Sequence, residues 1–147
     1  MATPALILAS GSRYRAELLS RLGLAFEAWS PGVDESALDG ETPGQTAIRL
    51  ARLKAEAGAR AHPRRCVIGS DQVADHAGRP INKPGTLEGA RRQLRELSGQ
   101  AVRFHTGLCL VGPAGSLRER LVTTDVVFRA LADAEIDRYL ARGAVTG

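Results

Sequence analysis

Residues 66–74, CVIGSDQVA, form the stretch that decides the fold, because they make the most strongly apolar strand pattern in the chain. Asp71 stands inside this strand, where an unpaired carboxylate would be costly to bury. It therefore requires a partner or a metal. Asp71 is a candidate general base for water or a candidate magnesium ligand, and the alternative is a carboxylate that pairs with an arginine for structural reasons.

Strands and helices alternate on the N-terminal side of this stretch. ALILAS, residues 5–10, predicts a short buried strand, and Ser12 can cap a helix that ends at Gly23. AFEAWS, residues 25–30, predicts a second strand. Thr42 and the following proline then predict the start of a long amphipathic helix that runs to about Ala61.

The C-terminal side begins with a turn in HAGRP, residues 76–80, which predicts a hairpin. A helix capped by Thr86 follows and ends near Gly99. Two long strands, around 102–111 and 117–128, and a final helix over 133–141 complete the chain. This order predicts an α/β fold with a mixed sheet, in a single domain over residues 1–147.

The turn SGSRYR, residues 10–15, is a candidate anion site between the first strand and the first helix. Ser10 and Ser12 would bring hydroxyl and backbone N–H groups to a helix N-terminus, where anions bind well. Arg13 and Arg15 add positive charge. The alternative is that the serines only cap the helix.

Two acidic residues, Asp34 and Glu35, lie in the loop after the second predicted strand. They could supply a second oxygen ligand beside Asp71, although loop acids are mostly just solvated. Together with an anion-binding helix start and two lysines, these acids are suited to metal-assisted attack on a polyphosphate.

The lysine count, the net charge and the low aromatic content favour some classes of partner over others. Lys54 and Lys83 are the only lysines among the 20 lysine and arginine residues, and a site that needs a compact ammonium would resist replacement by arginine. The alternative is that these two lysines survived by chance. The net charge of +4 permits anionic partners, but 4% aromatic residues give little material for stacking nucleic-acid bases. No apolar run approaches membrane-spanning length, and no signal peptide is evident, so we expect a cytoplasmic protein without a membrane partner.

Several separated motifs, read in order, resemble the Maf family of nucleoside triphosphate pyrophosphatases. They are LILASGSRYRAELLSRLGLAFEAWSPGVDE (6–35), LARLKAEA (50–57), VIGSDQVA (67–74), NKPGTLEGARRQLRELSG (82–99), HTGLCLV (105–111) and VVFRALADAEIDRYL (126–140). The resemblance covers nearly the whole chain. It implies a twisted mixed sheet flanked by helices, with a central cleft, as in the inosine triphosphatase-like proteins.

The same resemblance implies hydrolysis of a nucleoside triphosphate between the α and β phosphates with a divalent cation, Mg²⁺ or Mn²⁺. Position by position, it assigns Ser10, Ser12, Arg15, Lys54 and Lys83 to phosphate binding. It assigns Glu35 and Asp71 to the metal, and Asp71 to proton acceptance. Homodimers are common in the family, so a homodimer is a further expectation.

Substrate preference also follows from the resemblance. The dTTP and UTP branch typically has an arginine and a threonine where this chain has Tyr14 and Gln72. These two residues resemble instead the branch that prefers 7-methyl-GTP, and Tyr14 could stack on a methylated, cationic purine. The runner-up is a dTTP or UTP pyrophosphatase, and Tyr14 as a residue that merely packs on the helix is the structural alternative.

Two departures from the family pattern matter. Arg13 replaces the usual proline, which a first helical position tolerates. The sequence also stops after GAVTG, residues 143–147, where the family continues with further strands and a helix, so we expect C-terminal elements to be missing and apolar surface to be uncovered. Two other classes stay open: a nucleotide-binding module without turnover, and a basic nucleic-acid-binding domain.

Overall fold

The computed structural model describes residues 6–30, 32–82 and 84–142. The strands are β1 (Leu6–Ala9), β2 (Phe26–Trp29), β3 (Cys66–His76), β4 (Arg79–Ile81), β5 (Ala101–Val111) and β6 (Leu117–Val127). The helices are α1 (Arg13–Arg21), α2 (Pro43–Ala61), α3 (Leu87–Leu97) and α4 (Asp133–Ala141). No helix within these ranges is long and apolar enough to cross a membrane.

The six strands form one sheet in the order β2-β1-β3-β5-β6, and β4 pairs with β3. β1 runs parallel to both β2 and β3, whereas β4 is antiparallel to β3. The α/β fold with a mixed sheet predicted from the sequence is confirmed. The predicted helix starts are also confirmed, because the side chains of Ser12, Thr42 and Thr86 each accept a hydrogen bond from a backbone N–H of the first turn.

The chain divides into two compact units. The first contains the described residues up to Val73 together with His105–Val122. Its core includes Ile7, Val67 and Cys109, packed with the alanines of α2. Burial raises the pKa of the Cys109 thiol to about 11, so this cysteine stays protonated and unreactive. The second unit contains Ala74–Phe104 and the described residues from Thr123, and α3 packs on α4 there. The single domain expected from the sequence remains a prediction.

Helix α2 lies unusually close to β3 and β5 in the first unit. A Cβ atom added at Gly69 would lie 2.6 Å from the Ala55 nitrogen and would clash with the Ala51 carbonyl oxygen. A Cβ at Gly107 would clash with the carbonyl group of Ala47. The two glycines therefore let the backbone of α2 touch the sheet, and only small side chains fit at the contact.

The loop before α2 is held by a single carboxylate. Glu41 accepts hydrogen bonds from the Leu38 N–H (3.0 Å), the Thr46 hydroxyl (2.7 Å) and the Arg49 guanidinium (2.6 and 3.0 Å). Arg49 also donates to the Ser36 carbonyl oxygen at 2.9 Å, one residue beyond Glu35. These bonds fix the path of the segment that carries Glu35.

Helix α1 is exposed, although its leucines form an apolar stripe. None of its residues is buried, and Leu22, just beyond its last turn, is 72% exposed. The apolar stripe of Leu18 and Leu19 exists, but it lines an open cleft rather than a core.

We predict that Gly69→Ala destabilises the chain by about 1–3 kcal/mol, because the new methyl group must displace backbone atoms of α2. Urea unfolding followed by circular dichroism measures the change. Gly32→Ala is the matched control, since a Cβ there meets nothing within 4 Å and should leave stability nearly unchanged. Equal stability of both variants would contradict the close contact of α2 with β3.

The Glu41 cluster predicts a specific pH dependence. Hydrogen bonds from Arg49 and the Leu38 N–H lower the pKa of Glu41 from 4.5 to about 2. A carboxyl group with a lowered pKa in the folded state stabilises that state above its unfolded pKa, and this contribution is lost as the pH falls from about 4.5 to about 2.

Glu41→Gln should therefore lower the melting temperature at pH 7 and flatten its fall between pH 4.5 and 2, the interval that the lowered pKa defines. Glu17→Gln, which removes an exposed pair with Arg21, is the control and should keep the wild-type pH profile. A Glu41→Gln variant that also keeps that profile would show that the cluster does not stabilise the loop.

Candidate active site

Three charged residues meet at the contact between α2 and β3. The Lys54 ammonium lies 3.0 Å from the Asp71 carboxylate and 3.1 Å from that of Glu35. Lys54 is 5% exposed and Asp71 is 8% exposed, whereas the Glu35 side chain is largely in solvent. A buried ammonium without a partner would be strongly unfavourable, so each charge requires the others.

The periodicity of each element explains why these residues meet. Gly69 and Asp71 are two residues apart on β3 and so face the same side of the sheet, which is the side that α2 covers. Lys54 follows Leu50 and Ala51 on the buried stripe of α2. The absence of a side chain at Gly69 brings α2 near enough for the Lys54 ammonium to reach Asp71.

A second cluster forms at the start of α1. The Ser12 hydroxyl accepts from the Arg15 N–H at 3.2 Å, and the Ser10 hydroxyl accepts from the Ser12 N–H at 3.2 Å. The Arg15 guanidinium donates to the Ser10 hydroxyl (2.8 Å) and to the Ser70 carbonyl oxygen (3.2 Å). The structure thus brings Ser10, Ser12 and Arg15 together, and it also shows that Ser12 caps the helix.

The two clusters influence each other electrostatically. Burial lowers the pKa of Arg15, while the negative charges of Asp71 and Glu35 act in the opposite direction. The guanidinium is thus partly stripped of water and lies within range of both carboxylates. A desolvated cation at a helix N-terminus is well suited to bind an anion such as a phosphate.

An apolar cleft of about 640 Å³ opens beside the α1 cluster, on the first unit. Leu18, Leu19, Ile68 and Leu108 contribute to its walls. Both predicted specificity residues line it: Tyr14, which is 68% exposed, and Gln72, whose amide donates to the Thr106 hydroxyl at 3.1 Å. A cleft with apolar walls and a few polar groups is the usual form of a small-molecule site.

Most of the expected site residues lie in two contact groups and along one cleft. Lys54, Asp71 and Glu35 form one contact group, Ser10, Ser12 and Arg15 form another, and Tyr14 and Gln72 line the cleft. Asp34 accepts from the Ser36 N–H at 2.9 Å, which lowers its pKa and gives it a role in the turn. Lys83 lies outside the described residues.

Whether these residues suit a divalent cation depends on their donor atoms. Across the described part of the chain, no group of three or more histidine, cysteine, aspartate or glutamate residues is arranged to hold a metal ion. Glu35 and Asp71, however, converge on one ammonium, and two carboxylates with one ammonium leave one negative charge. Mg²⁺ is commonly bound by one or two carboxylates together with water and substrate phosphates, so the pair fits such an ion.

Sequence reasoning overlooked four residues of this region. Glu41 and Arg49 hold the Glu35 loop, and their eight-residue separation gives no recognisable pattern. Ser70 and Thr106 line the cleft, and the strand periodicity could have placed Ser70 there, because it shares a face with Gln72.

Comparison with known proteins agrees with this architecture. The family model for Maf-like proteins matches residues 5–147. The chain is 56% identical over 138 residues to a 7-methyl-GTP pyrophosphatase of Xanthomonas campestris pv. campestris, covering 94% of this chain and 72% of that protein. It is 54% identical over 137 residues to a 7-methyl-GTP pyrophosphatase of Bordetella pertussis, covering 93% of this chain and 68% of that protein.

A solved structure, that of the Staphylococcus aureus Ham1 protein, is similar in fold, with a TM-score of 0.56 and 18% sequence identity. The match covers 87% of this chain and 72% of that one. The inosine triphosphatase-like fold implied by the sequence motifs is thus confirmed. With a family match over nearly the whole chain and relatives above half identity, the chain belongs to the Maf-like protein family.

Proposed function

We propose that this chain hydrolyses a nucleoside triphosphate to the monophosphate and pyrophosphate, and that 7-methyl-GTP is its preferred substrate. The observation that carries the proposal is the contact of the buried Lys54 ammonium with the carboxylates of Asp71 and Glu35. Arg15, at the start of α1, donates to the backbone of the same strand that holds Asp71. Carboxylates for water and metal and cations for phosphate are the groups that this reaction needs. The names of the relatives support the same activity.

The reaction assigns a distinct task to each cluster. Asp71 accepts a proton from a water molecule whose oxygen forms a bond to the α-phosphorus. The bond between the α-phosphorus and the bridging oxygen to the β-phosphorus breaks, and pyrophosphate leaves with the electron pair. Lys54 and Arg15 stabilise the negative charge on the phosphate oxygens during this step. Lys83 is proposed for the same task from the family motif.

A divalent cation, Mg²⁺ or Mn²⁺, is part of the proposal, with Glu35 and Asp71 as its protein ligands. When bound, such a cation neutralises phosphate charge and polarises the bond to be broken. Glu35 is suited to this task because it is exposed yet held by a fixed loop. Its carboxylate can therefore turn towards a ligand while Asp71 keeps its contact with the Lys54 ammonium.

The substrate preference rests on the cleft. Methylation at N7 makes guanine cationic, and an exposed tyrosine ring attracts a cation placed over its face. Tyr14 lies on the wall of the cleft and Gln72 lies among its polar groups. The dTTP and UTP branch of the family typically has an arginine at the position of Tyr14. Its positive charge would repel the methylated, cationic base.

The proposal includes a cytoplasmic location, a nucleoside triphosphate as the partner, and no nucleic-acid or membrane partner. The absence of a nucleic-acid partner is supported by the many surface arginines that pair with carboxylates. These pairs include Arg21–Glu17, Arg65–Glu27, Arg91–Asp137, Arg95–Asp133 and Arg103–Asp125. Such pairing spreads both signs of charge over the surface and leaves little excess for a polyanion. A homodimer stays an expectation from the family.

We predict that Asp71→Asn lowers kcat for 7-methyl-GTP by about 10²–10⁴-fold, the usual contribution of a general base. Pyrophosphate release with Mg²⁺ or Mn²⁺ is the measurement, and the exposed Asp39→Asn is the matched control with wild-type activity. Full activity of Asp71→Asn would remove Asp71 from the mechanism. Nucleotide binding without release by the wild-type chain would select the binding-module alternative.

The specificity assignment makes a separate prediction. The double variant Tyr14→Arg with Gln72→Thr should lose preference for 7-methyl-GTP and gain activity on dTTP and UTP. The ratio of kcat/KM values across 7-methyl-GTP, GTP, dTTP and UTP checks this. The exposed change Tyr139→Arg serves as a control. A substrate profile that stays the same in the double variant would contradict the assignment.

A further inference from the structure

The strand periodicity that places Asp71 against α2 places other residues on the opposite face of the sheet. Ile68, Ser70 and Gln72 alternate with Gly69 and Asp71 along β3, and all three line the cleft. On the neighbouring strand β5, Thr106 and Leu108 line the cleft on either side of Gly107. On β3, Asp71 and the cleft-lining residues thus occupy opposite faces, while Ser12 and Arg15 at the start of α1 also line the cleft.

Polar groups are few in this cleft and are close in the fold. Its walls are mainly apolar, and Ser70, Gln72 and Thr106 come from the neighbouring strands β3 and β5. We call these three residues the polar floor. The other polar residues of the lining, Ser12, Tyr14 and Arg15, lie at the start of α1, so a base that lies against the sheet finds its hydrogen-bonding partners in the polar floor.

Ser70 is the least satisfied member of the polar floor. It is 2% exposed, and its hydroxyl has no hydrogen-bond partner among the described residues. Buried hydroxyl groups are normally paired, because an unpaired one keeps the full cost of its desolvation. Because Ser70 lines the cleft and its hydroxyl turns about a single side-chain torsion, rotation can bring this unpaired group to a ligand there.

Thr106 acts on Gln72 directly. The Gln72 amide donates to the Thr106 hydroxyl at 3.1 Å, and this bond restricts the rotation of a long side chain. A glutamine amide carries both a carbonyl oxygen and an NH₂ group, so one end can be held while the other meets a base. Guanine-type bases present adjacent N–H donors, and an oriented carbonyl oxygen can accept a hydrogen bond from them.

We propose that Ser70 and Thr106 are further specificity-determining residues: Ser70 hydrogen-bonds the base, and Thr106 is a positioning residue that orients Gln72 towards it. This inference rests on the proposed function for its choice of ligand, a guanine-type base. It adds two residues to the specificity set of Tyr14 and Gln72.

The test uses Ser70→Ala and Thr106→Val, which remove one hydroxyl each and nearly keep the side-chain shape. Each should lower kcat/KM for 7-methyl-GTP relative to dTTP by about fivefold to tenfold, the effect of one lost hydrogen bond. Thr106→Ser should restore the wild-type ratio, because it keeps the hydroxyl. Thr124→Val, an exposed exchange of the same type on β6, is the matched control.

Thermal unfolding separates a recognition role from a structural one. Ser70→Ala should melt at or above the wild-type temperature without nucleotide, because it removes an unpaired buried group. A lower melting temperature with an unchanged substrate ratio would overturn the inference for Ser70. A Thr106→Val variant with an unchanged ratio, or no rescue by Thr106→Ser, would overturn it for Thr106.

Binding measurements keep this inference distinct from the proposed function. Calorimetry with 7-methyl-GMP and dTMP needs no turnover. If the wild-type chain releases no pyrophosphate yet binds 7-methyl-GMP selectively, and both variants lose that selectivity, the inference stands and the hydrolysis proposal fails. If the wild-type chain hydrolyses 7-methyl-GTP and the variants keep its selectivity, only the inference fails. If neither monophosphate binds selectively to the wild-type chain, the inference fails as well.

Discussion

The close contact of α2 with β3 and β5 is the constraint on which the first unit depends. Gly69 and Gly107 have no side chains, so the helix backbone approaches the sheet to a distance that any Cβ would prevent. The buried alanines of α2 and the core residues of β1 and β3 complete this contact. The same approach brings the Lys54 ammonium to Asp71, so the packing of the core and the geometry of the charged cluster have one cause.

The charged cluster is stable only when both signs of charge are present. A buried ammonium is tolerated because two carboxylates neutralise it, and removal of either side would leave an uncompensated charge. Glu35 reaches the cluster from an irregular loop, whose path depends on the bonds between Glu41, Arg49 and Ser36. The loop is therefore part of the site, although its own sequence contains few apolar residues and no regular pattern.

Local patterns in the sequence were sufficient for most of the secondary structure. Ser12, Thr42 and Thr86 each mark a helix start, since a side-chain cap depends only on neighbouring residues. Asp71 could be recognised as a site residue because a carboxylate in an apolar strand demands a partner. The family motif also singled out Lys54, but for phosphate binding, and only the fold shows that Lys54 is the partner of Asp71.

Local sequence patterns did not predict the long-range contacts. No local sequence pattern predicts that Arg49 donates to the Ser36 carbonyl oxygen. The same holds for the hydrogen bond from Gln72 to Thr106, which lie 34 residues apart in sequence. The leucines of α1 have the spacing of a buried stripe, yet they face a cleft, because periodicity defines a face of a helix and not what covers it.

The alternation along β3 has a consequence for how such a protein can diverge. Odd-numbered positions, Gly69 and Asp71, face the helix and the charged cluster, while even-numbered positions, Ser70 and Gln72, face the cleft. A point mutation at an even position can alter which base is accommodated without moving the group assigned to bond breaking. Under the proposed function, neighbouring positions on one strand therefore carry separate tasks, base recognition and bond breaking, and the first can change while the second is kept.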